Sequence, residues 1–417
     1  MRSAVARTPL RVCWYNTLAP GTWYVRPMSR NVLQFWLALV LALYADSEAG
    51  AQNIIEPFLG VRHIQQTETL PRRLNINVVE IDLAAPGLTF LVTPGGPHPR
   101  PFGTNGLLME TIRQTPRQFA NGVGAQIAIN GSFYSSQSFG GVPWANNLAL
   151  TVSNGEKYSP WELPSSPNFD DALNITHNND AAIVRMAASI PTGFETDPPV
   201  PVYNAISGSH RLVTNGVNVA PPPGGDSLTQ IHPRTAVGVT ADNRLLLMTV
   251  DGRQSGFSEG VNLVELANLM LSHGALDAIN LDGGGSTQMV MNFYDDELAA
   301  QVVNSPSEAQ RAVGASLAVF AARPGDFNAD GNVDAADFVA WRNSGGAPSG
   351  YASWRANFGR ATATQASLAT IPEPMSWTLT ASAILVLFTL QRAFGTATAL
   401  KESSIFISDP AHRAPPP

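Results

Sequence analysis

A chain of 417 residues has room for one large domain or for two or three smaller ones. A charged fraction of 14%, with 35 Gly and 32 Pro, favours a loop-rich, strand-containing fold over a helical bundle. The net charge of −7 gives no ground for a nucleic-acid partner, and the single cysteine, Cys13, rules out a disulfide framework.

Near the N-terminus, Arg30 precedes an apolar run from Val32 to Leu43, followed by a polar stretch containing Ala49-Gly50-Ala51. A basic flank, a short apolar region and a small-x-small pattern read as a secretion signal. The run is short of the roughly 20 residues that span a bilayer; a buried core helix is the alternative. Residues 1–27 do not fit a signal, so Met28 is the expected start, and 1–51 is read as an N-terminal extension with its signal peptide.

Strand patterns follow at Ile76 to Leu83, Gln126 to Ile129, Thr235 to Val239, Leu245 to Val250 and Ala278 to Leu281. They are short, aliphatic or β-branched, and bounded by Gly, Asn or Asp. Leu263, Leu266, Ala267, Met270 and Leu271 keep helical spacing, with Gly274 just beyond as a terminator. The expected fold class is α+β: a mixed-sheet domain with short strands and few helices over residues 74–322.

The strongest local signal is Leu281-Asp282-Gly283-Gly284-Gly285-Ser286-Thr287. Successive glycines let backbone N–H groups converge on an anion, and the two hydroxyls add donors. Asp282, at a strand end, is placed for chemistry or for a cation. The spacing and the lysine of a Walker A loop are missing, and a flexible turn is the plain alternative.

Other segments occur in a fixed order around this turn. They are Asn130-Gly131-Ser132-Phe133-Tyr134, His232-Pro233-Arg234-Thr235, Asp251-Gly252-Arg253 and Asn262-Leu263-Val264-Glu265, with Asn304, Pro306, Arg311 and Val313 downstream. Together they resemble the phosphodiester glycosidase family, over about 250 residues; Ser132 departs from the glycine more usual in that family.

The resemblance implies a hydrolase that cleaves the C1–O bond of a sugar 1-phosphodiester. The leaving phosphate monoester needs little acid help, so the site needs an anion clamp and a carboxylate. Asp282 is the leading carboxylate, Glu265 the second, Arg234 the phosphate clamp and Asp251 a further catalytic-site acid, with Arg253 in support. Asn130, Gly131, His232, Thr235, Gly283, Gly284, Gly285, Ser286, Thr287 and Arg311 are the expected substrate contacts. Plainer roles stay open: an ion pair for Arg234 or Arg311, a turn for His232, a solvated helix face for Glu265. Two other functions also stay open. One is a metal-dependent phosphodiesterase with Asp282 and Asp251 as ligands; the other is a non-catalytic glycan-binding surface protein. No cofactor is assigned to the core.

Asp326, Asn328, Asp330, Asn332, Asp334 and Asp337 fall at positions 1, 3, 5, 7, 9 and 12 of a twelve-residue loop, with Gly331 at position 6. That ring of oxygens suits Ca2+; an Asx-rich turn capping the next helix is the alternative. With Trp341-Arg342-Asn343 and Trp354 to Gly359, residues 324–360 resemble a small EF-hand-like dockerin module, which implies a cohesin-like partner. The stretch 371–393 resembles a PEP-CTERM sorting signal: Pro372-Glu373-Pro374, an apolar run and Arg392. It implies a membrane sorting enzyme as partner and a cell-surface or extracellular destination, with transient membrane anchoring; a simple C-terminal membrane anchor is the alternative. A polar tail, 394–417, runs on where that family usually ends.

Overall fold

The central sheet has eight strands, in the order Ala51–Phe58, Val61–Glu68, Leu74–Asp82, Arg244–Val250, Arg234–Thr240, Ala275–Asn280, Arg211–Thr214 and Val217–Asn218. A computed structural model supplies this view; it describes residues 51–104, 106–161, 168–188, 193–293 and 300–360. The expected N-terminal extension with its signal peptide (1–51, all but Ala51), the sorting segment 371–393 and the tail lie outside the described residues. The described residues all belong to one unit.

The domain is mostly β with few helices. Every strand pair in the central sheet is antiparallel, a correction to the expected mixed sheet. Parallel neighbours need crossover connections, commonly helices, and among the described residues only Pro116–Val123 and Leu263–Ser272 are α-helical before residue 323. The sheet also takes in residues 51–68, ahead of the domain start drawn at residue 74.

Both faces of the sheet centre are covered. On one face Val79, Val237, Leu247 and Ile279 pack against Ile127, Ile129, Met289 and Leu317 of a five-stranded sheet. On the other, Val78, Ala236, Leu246 and Met248 pack under Leu263, Leu266, Ala267 and Met270 of the helix Leu263–Ser272. Leu245 to Val250 are therefore buried without a break, each large side chain contributing on the order of 1.5–3 kcal/mol. Alternation along a strand then sends Thr235 and Arg234 to opposite faces.

After the domain come the helices Ala335–Asn343 and Pro348–Asn357. Asp334 caps the first, accepting from Ala336 N, and Asp337 completes a capping box. Trp341, Phe338, Tyr351, Trp354 and Phe358 stack between and beside the two helices. Among the described residues no helix is long and apolar enough to cross a membrane.

Candidate active site

The end of the strand Ala275–Asn280 carries the chain into Asp282 and the triglycine turn. Asn130, at the end of its own strand and fully buried, fixes this turn. Its Nδ2 donates to Asp282 O at 2.6 Å, while its Oδ1 accepts from Thr235 Oγ1 at 2.8 Å and Gln288 N at 3.0 Å. Asp282 N donates to Gly131 O. Asn130, Gly131 and Thr235, expected as substrate contacts, have these polar groups taken up inside the fold beneath the turn.

The turn needs its glycines because other groups lie against it. A Cβ on Gly283 would stand 2.8 Å from Pro233 O, and one on Gly285 would collide with Glu308 and Arg311. Arg253, itself at a positive φ of 59°, brings its guanidinium within 3.1 Å of the place a Gly284 Cβ would take. Two arginines thus stand over the turn. Their side chains are 46% and 42% exposed, so a ligand could reach both.

Between the two arginines sits Glu308. It pairs with Arg311 at 3.0 Å and Arg253 at 3.9 Å. His232 orients Arg253: its Nε2 donates to Ser227 O at 3.1 Å, which leaves Nδ1 to accept from Arg253 Nη2 at 3.3 Å. Burial first, then the charges of Arg234 and Arg253, hold that imidazole below its ordinary pKa, in keeping with the neutral tautomer.

Burial pushes the Asp282 carboxyl up to about 6, against the Ser286 hydroxyl, the Gly283 amide and Arg311. Ser286 Oγ does not make a full hydrogen bond in return, so its influence is that of a nearby dipole. Burial and then the charge of Asp282 raise the Tyr134 phenol, with Arg113 and Arg311 opposing; Tyr134 donates to Ala312 O at 2.9 Å. Ser286, Thr287 and Gln288 are consecutive, at most 2% exposed, and carry side-chain polar atoms with no hydrogen-bond partner. Such a run is uncommon in a closed core and common where a ligand completes the bonding.

Arg234 is not the clamp. It is 2% exposed, and its Nε and Nη2 donate to the carbonyls of Val261, Leu228 and Gln230. Burial, then Arg253, lower its pKa to about 10. Glu265 is drawn elsewhere too: it closes the capping box of Leu263–Ser272 with Asn262 and pairs with Arg72. Asp251 lies one layer behind the turn. It accepts from Asn304 Nδ2 at 2.9 Å and Ser305 N at 3.0 Å, and Asn304 in turn holds Thr287 O and Met289 N. Burial pushes this carboxyl to about 6, against those two donors.

Glu308, Tyr134 and Arg113 escape the sequence reading as site residues. Glu308 lies three residues before Arg311, a spacing that could have marked the pair; Tyr134 stands inside a quoted motif; Arg113 has no local signal. Among the described residues no three His, Cys, Asp or Glu side chains gather to hold a metal ion.

Residues 123–320 match the family model described as phosphodiester glycosidase. The bovine N-acetylglucosamine-1-phosphodiester alpha-N-acetylglucosaminidase is 27% identical over 220 residues, 48% of this chain and 36% of the bovine protein. The human protein of that name is 27% identical over 215 residues, 48% of this chain and 37% of its own length. The chain thus spans little more than a third of these relatives. A SPbeta prophage-derived protein of Bacillus subtilis is 39% identical over 79 residues, covering 18% of this chain and 12% of its own. The catalytic domain of the zebrafish N-acetylglucosamine-1-phosphodiester alpha-N-acetylglucosaminidase superposes with a TM-score of 0.43 at 20% identity, over 65% of this chain and 86% of that one. The stretch similar to the phosphodiester glycosidase model contains Asn130, Arg253, Asp282, Glu308 and Arg311.

Proposed function

We propose that the protein hydrolyses the glycosidic C1–O bond of a sugar 1-phosphodiester, releasing the free sugar and a phosphate monoester. One observation carries the reading: two reachable guanidiniums and a carboxylate of raised pKa meet on a single glycine turn. Arg253 and Arg311 hold the phosphodiester, with Glu308 giving up its place between them to the incoming anion. Their charge stabilises the phosphate as the C1–O bond breaks and its electron pair leaves with the bridging oxygen. Asp282, ionised above about pH 6, takes a proton from water as the water oxygen bonds to C1, or steadies the positive charge developing there. Asp251 and Asn304 keep the turn in place from behind, away from the bond that breaks.

Hydrolysis of a sugar 1-phosphodiester in 18O-water tests the bond cleaved. Label in the sugar is the expected result. Label in the phosphate would mean P–O cleavage and would favour the metal-dependent phosphodiesterase; no turnover of any sugar phosphodiester would leave the glycan-binding protein.

The same reading takes the protein as exported to the cell surface or medium, where phosphodiester-linked glycans are the substrate class. Its C-terminal segment serves a membrane sorting enzyme. Ca2+ belongs to the 326–337 loop. Asp326 and Asp337 are 2% and 0% exposed, the donors are all oxygen, and Gly331 takes a φ of 87° at the sharp turn. These features fit the ion, which would supply charge neutralisation there; a cohesin-like partner for the two following helices is part of the same proposal.

A further inference from the structure

We infer that a second cleft, at the open end of the central sheet, binds an uncharged stretch of carbohydrate chain leading into the site. This rests on the reading of the substrate as a glycan. The cleft has a volume of about 420 Å³, within the usual range of ligand pockets. Asn53, Gln65, Thr67, Asn75 and Asn77 line it, with Phe257 and Ser305 at its walls.

The strand register explains the lining. Asn53 faces Gln65, Gln65 faces Asn77, Asn77 faces Thr249, and Thr249 faces Thr235. Facing residues share one side of a sheet, so a single polar row crosses five strands. It ends at Thr235, whose hydroxyl donates to Asn130, the amide that holds Asp282 O. The neighbouring row inward, His63, Val79, Leu247 and Val237, is apolar apart from the histidine.

Two buried atoms along these rows lack a hydrogen-bond partner: Thr249 Oγ1, on a residue 0% exposed, and His63 Nδ1, on a residue 1% exposed. His63 Nε2 bonds to Asn77 Oδ1 at 3.0 Å. Neither residue lines the cleft, so these atoms extend the polar row beneath it and are not ligand contacts. At the far side, the floor passes through Asp251 and Ser305 to Asn304 and Thr287, so the cleft and the triglycine turn share one hydrogen-bonded wall.

Chemistry selects the ligand class. Among the described residues the only ionisable side chain in the lining is Asp251, which is buried and bonded to Asn304 and Ser305. An anion would find no cation, and a cation no exposed carboxylate. Side-chain amides and hydroxyls both donate and accept, as sugar hydroxyls require. Phe257, 43% exposed, offers an aromatic face to the apolar side of a sugar ring.

The test uses the full chain and two surface variants, Gln65→Ala and Phe257→Ala. Binding of cellohexaose, maltohexaose and mannohexaose is measured by titration calorimetry, with hexagalacturonate as the charged comparison. Hydrolysis of a short aryl sugar 1-phosphodiester is followed alongside. The inference expects at least one neutral oligomer to bind, hexagalacturonate to bind at least about tenfold more weakly, and each variant to weaken the neutral oligomer about tenfold with short-substrate hydrolysis unchanged. It is overturned if no neutral oligomer binds, if the charged one binds as well, or if both variants bind like the parent. Failure of the catalytic reading shows separately, as absent hydrolysis with oligomer binding intact. A Gln65→Asn variant, which keeps an amide, should retain more binding than Gln65→Ala at equal thermal stability.

Discussion

The arginines divide by what their N–H groups already hold. Arg253 and Arg311 stand half-exposed over Gly284 and Gly285, paired among the described residues with Glu308 and His232. Arg234 is closed in among three carbonyls. Replacing Arg253 or Arg311 by Met should therefore lower kcat/KM about 10- to 100-fold, as loss of a charged hydrogen bond does, with little change in melting temperature. Arg234→Met should instead lower stability by roughly 3 kcal/mol, because buried carbonyls lose their donors; parallel melting curves and steady-state kinetics separate the two outcomes. Glu308 adds a finer test. If it only keeps the clamp occupied until an anion arrives, Glu308→Gln lowers KM and spares kcat; a collapse of kcat would make it a catalytic carboxylate. For Asp282 the sign follows from its raised pKa, about 6 against an ordinary 3.8. The ionised form is the disfavoured one in the folded protein, so this group costs stability above about pH 6, and the cost fades as pH falls towards 4. Asp282→Asn should thus raise the melting temperature at pH 7.5, by an amount corresponding to at most roughly 3 kcal/mol, and hardly at pH 4. It should also lower kcat about 10²- to 10⁴-fold. A kcat/KM that does not rise with pH through about 6 in the parent protein would remove Asp282 as the base.

At the scale of elements, legibility followed hydrophobic pattern. The strands Leu74–Asp82, Ile127–Asn130, Arg234–Thr240, Arg244–Val250 and Ala275–Asn280, and the helix Leu263–Ser272, each stand within a few residues of their expected places. Apolar runs buried on both faces signal themselves. Polar strands do not: Ala51–Phe58 and Val61–Glu68 carry Gln, Asn and Thr on their exposed stretches, and they fall outside the domain start read at residue 74. The turn at Asp282 was legible because its glycines are contiguous. The groups above it were not, since Arg253, Glu308 and Arg311 meet only through tertiary folding. Glu265 shows the converse error. Its position on a helix near quoted motifs reads as a site acid, whereas the first-turn geometry puts it in a capping box and against Arg72. Glu265→Ala should then cost about 1 kcal/mol of stability and leave kcat within about twofold, an estimate that follows from its distance in function from the turn. A loss of turnover with an unchanged melting curve would restore it to the chemistry.

For the molecule as a whole, the site and the 326–337 loop depend on opposite charges. The first gathers arginines for an anion; the second gathers carboxylates, and no salt bridge among the described residues reaches them. Within the loop backbone amides do the holding. Asp326 accepts from Asp330 N and Gly331 N, and Asp337 from Asn328 N and Asp334 N. Burial and the charges of Asp337 and Asp330 raise the Asp326 carboxyl, outweighing the amide of Gly331. A divalent cation would relieve that repulsion and would bind the folded loop far better than an extended one. Calcium at about a hundred times its Kd should therefore stabilise the folded loop and its helices by roughly 2.7 kcal/mol. Calorimetry of the full chain should show a transition that rises with calcium, falls again with chelator, and responds less at pH 4.5 than at pH 7, because protons compete for the same oxygens. Asp337→Asn keeps the side chain's size and one of its two acceptor oxygens while removing a charge, so it should abolish the response at the cost of one of the two backbone hydrogen bonds it accepts. Hydrolysis of a short phosphodiester should be the same with calcium or chelator, since the loop's carboxylates are held by the loop's own backbone amides. A calcium-independent melting profile would leave the loop as a carboxylate-capped turn, and calcium-dependent hydrolysis would mean that the loop and the catalytic domain work as one.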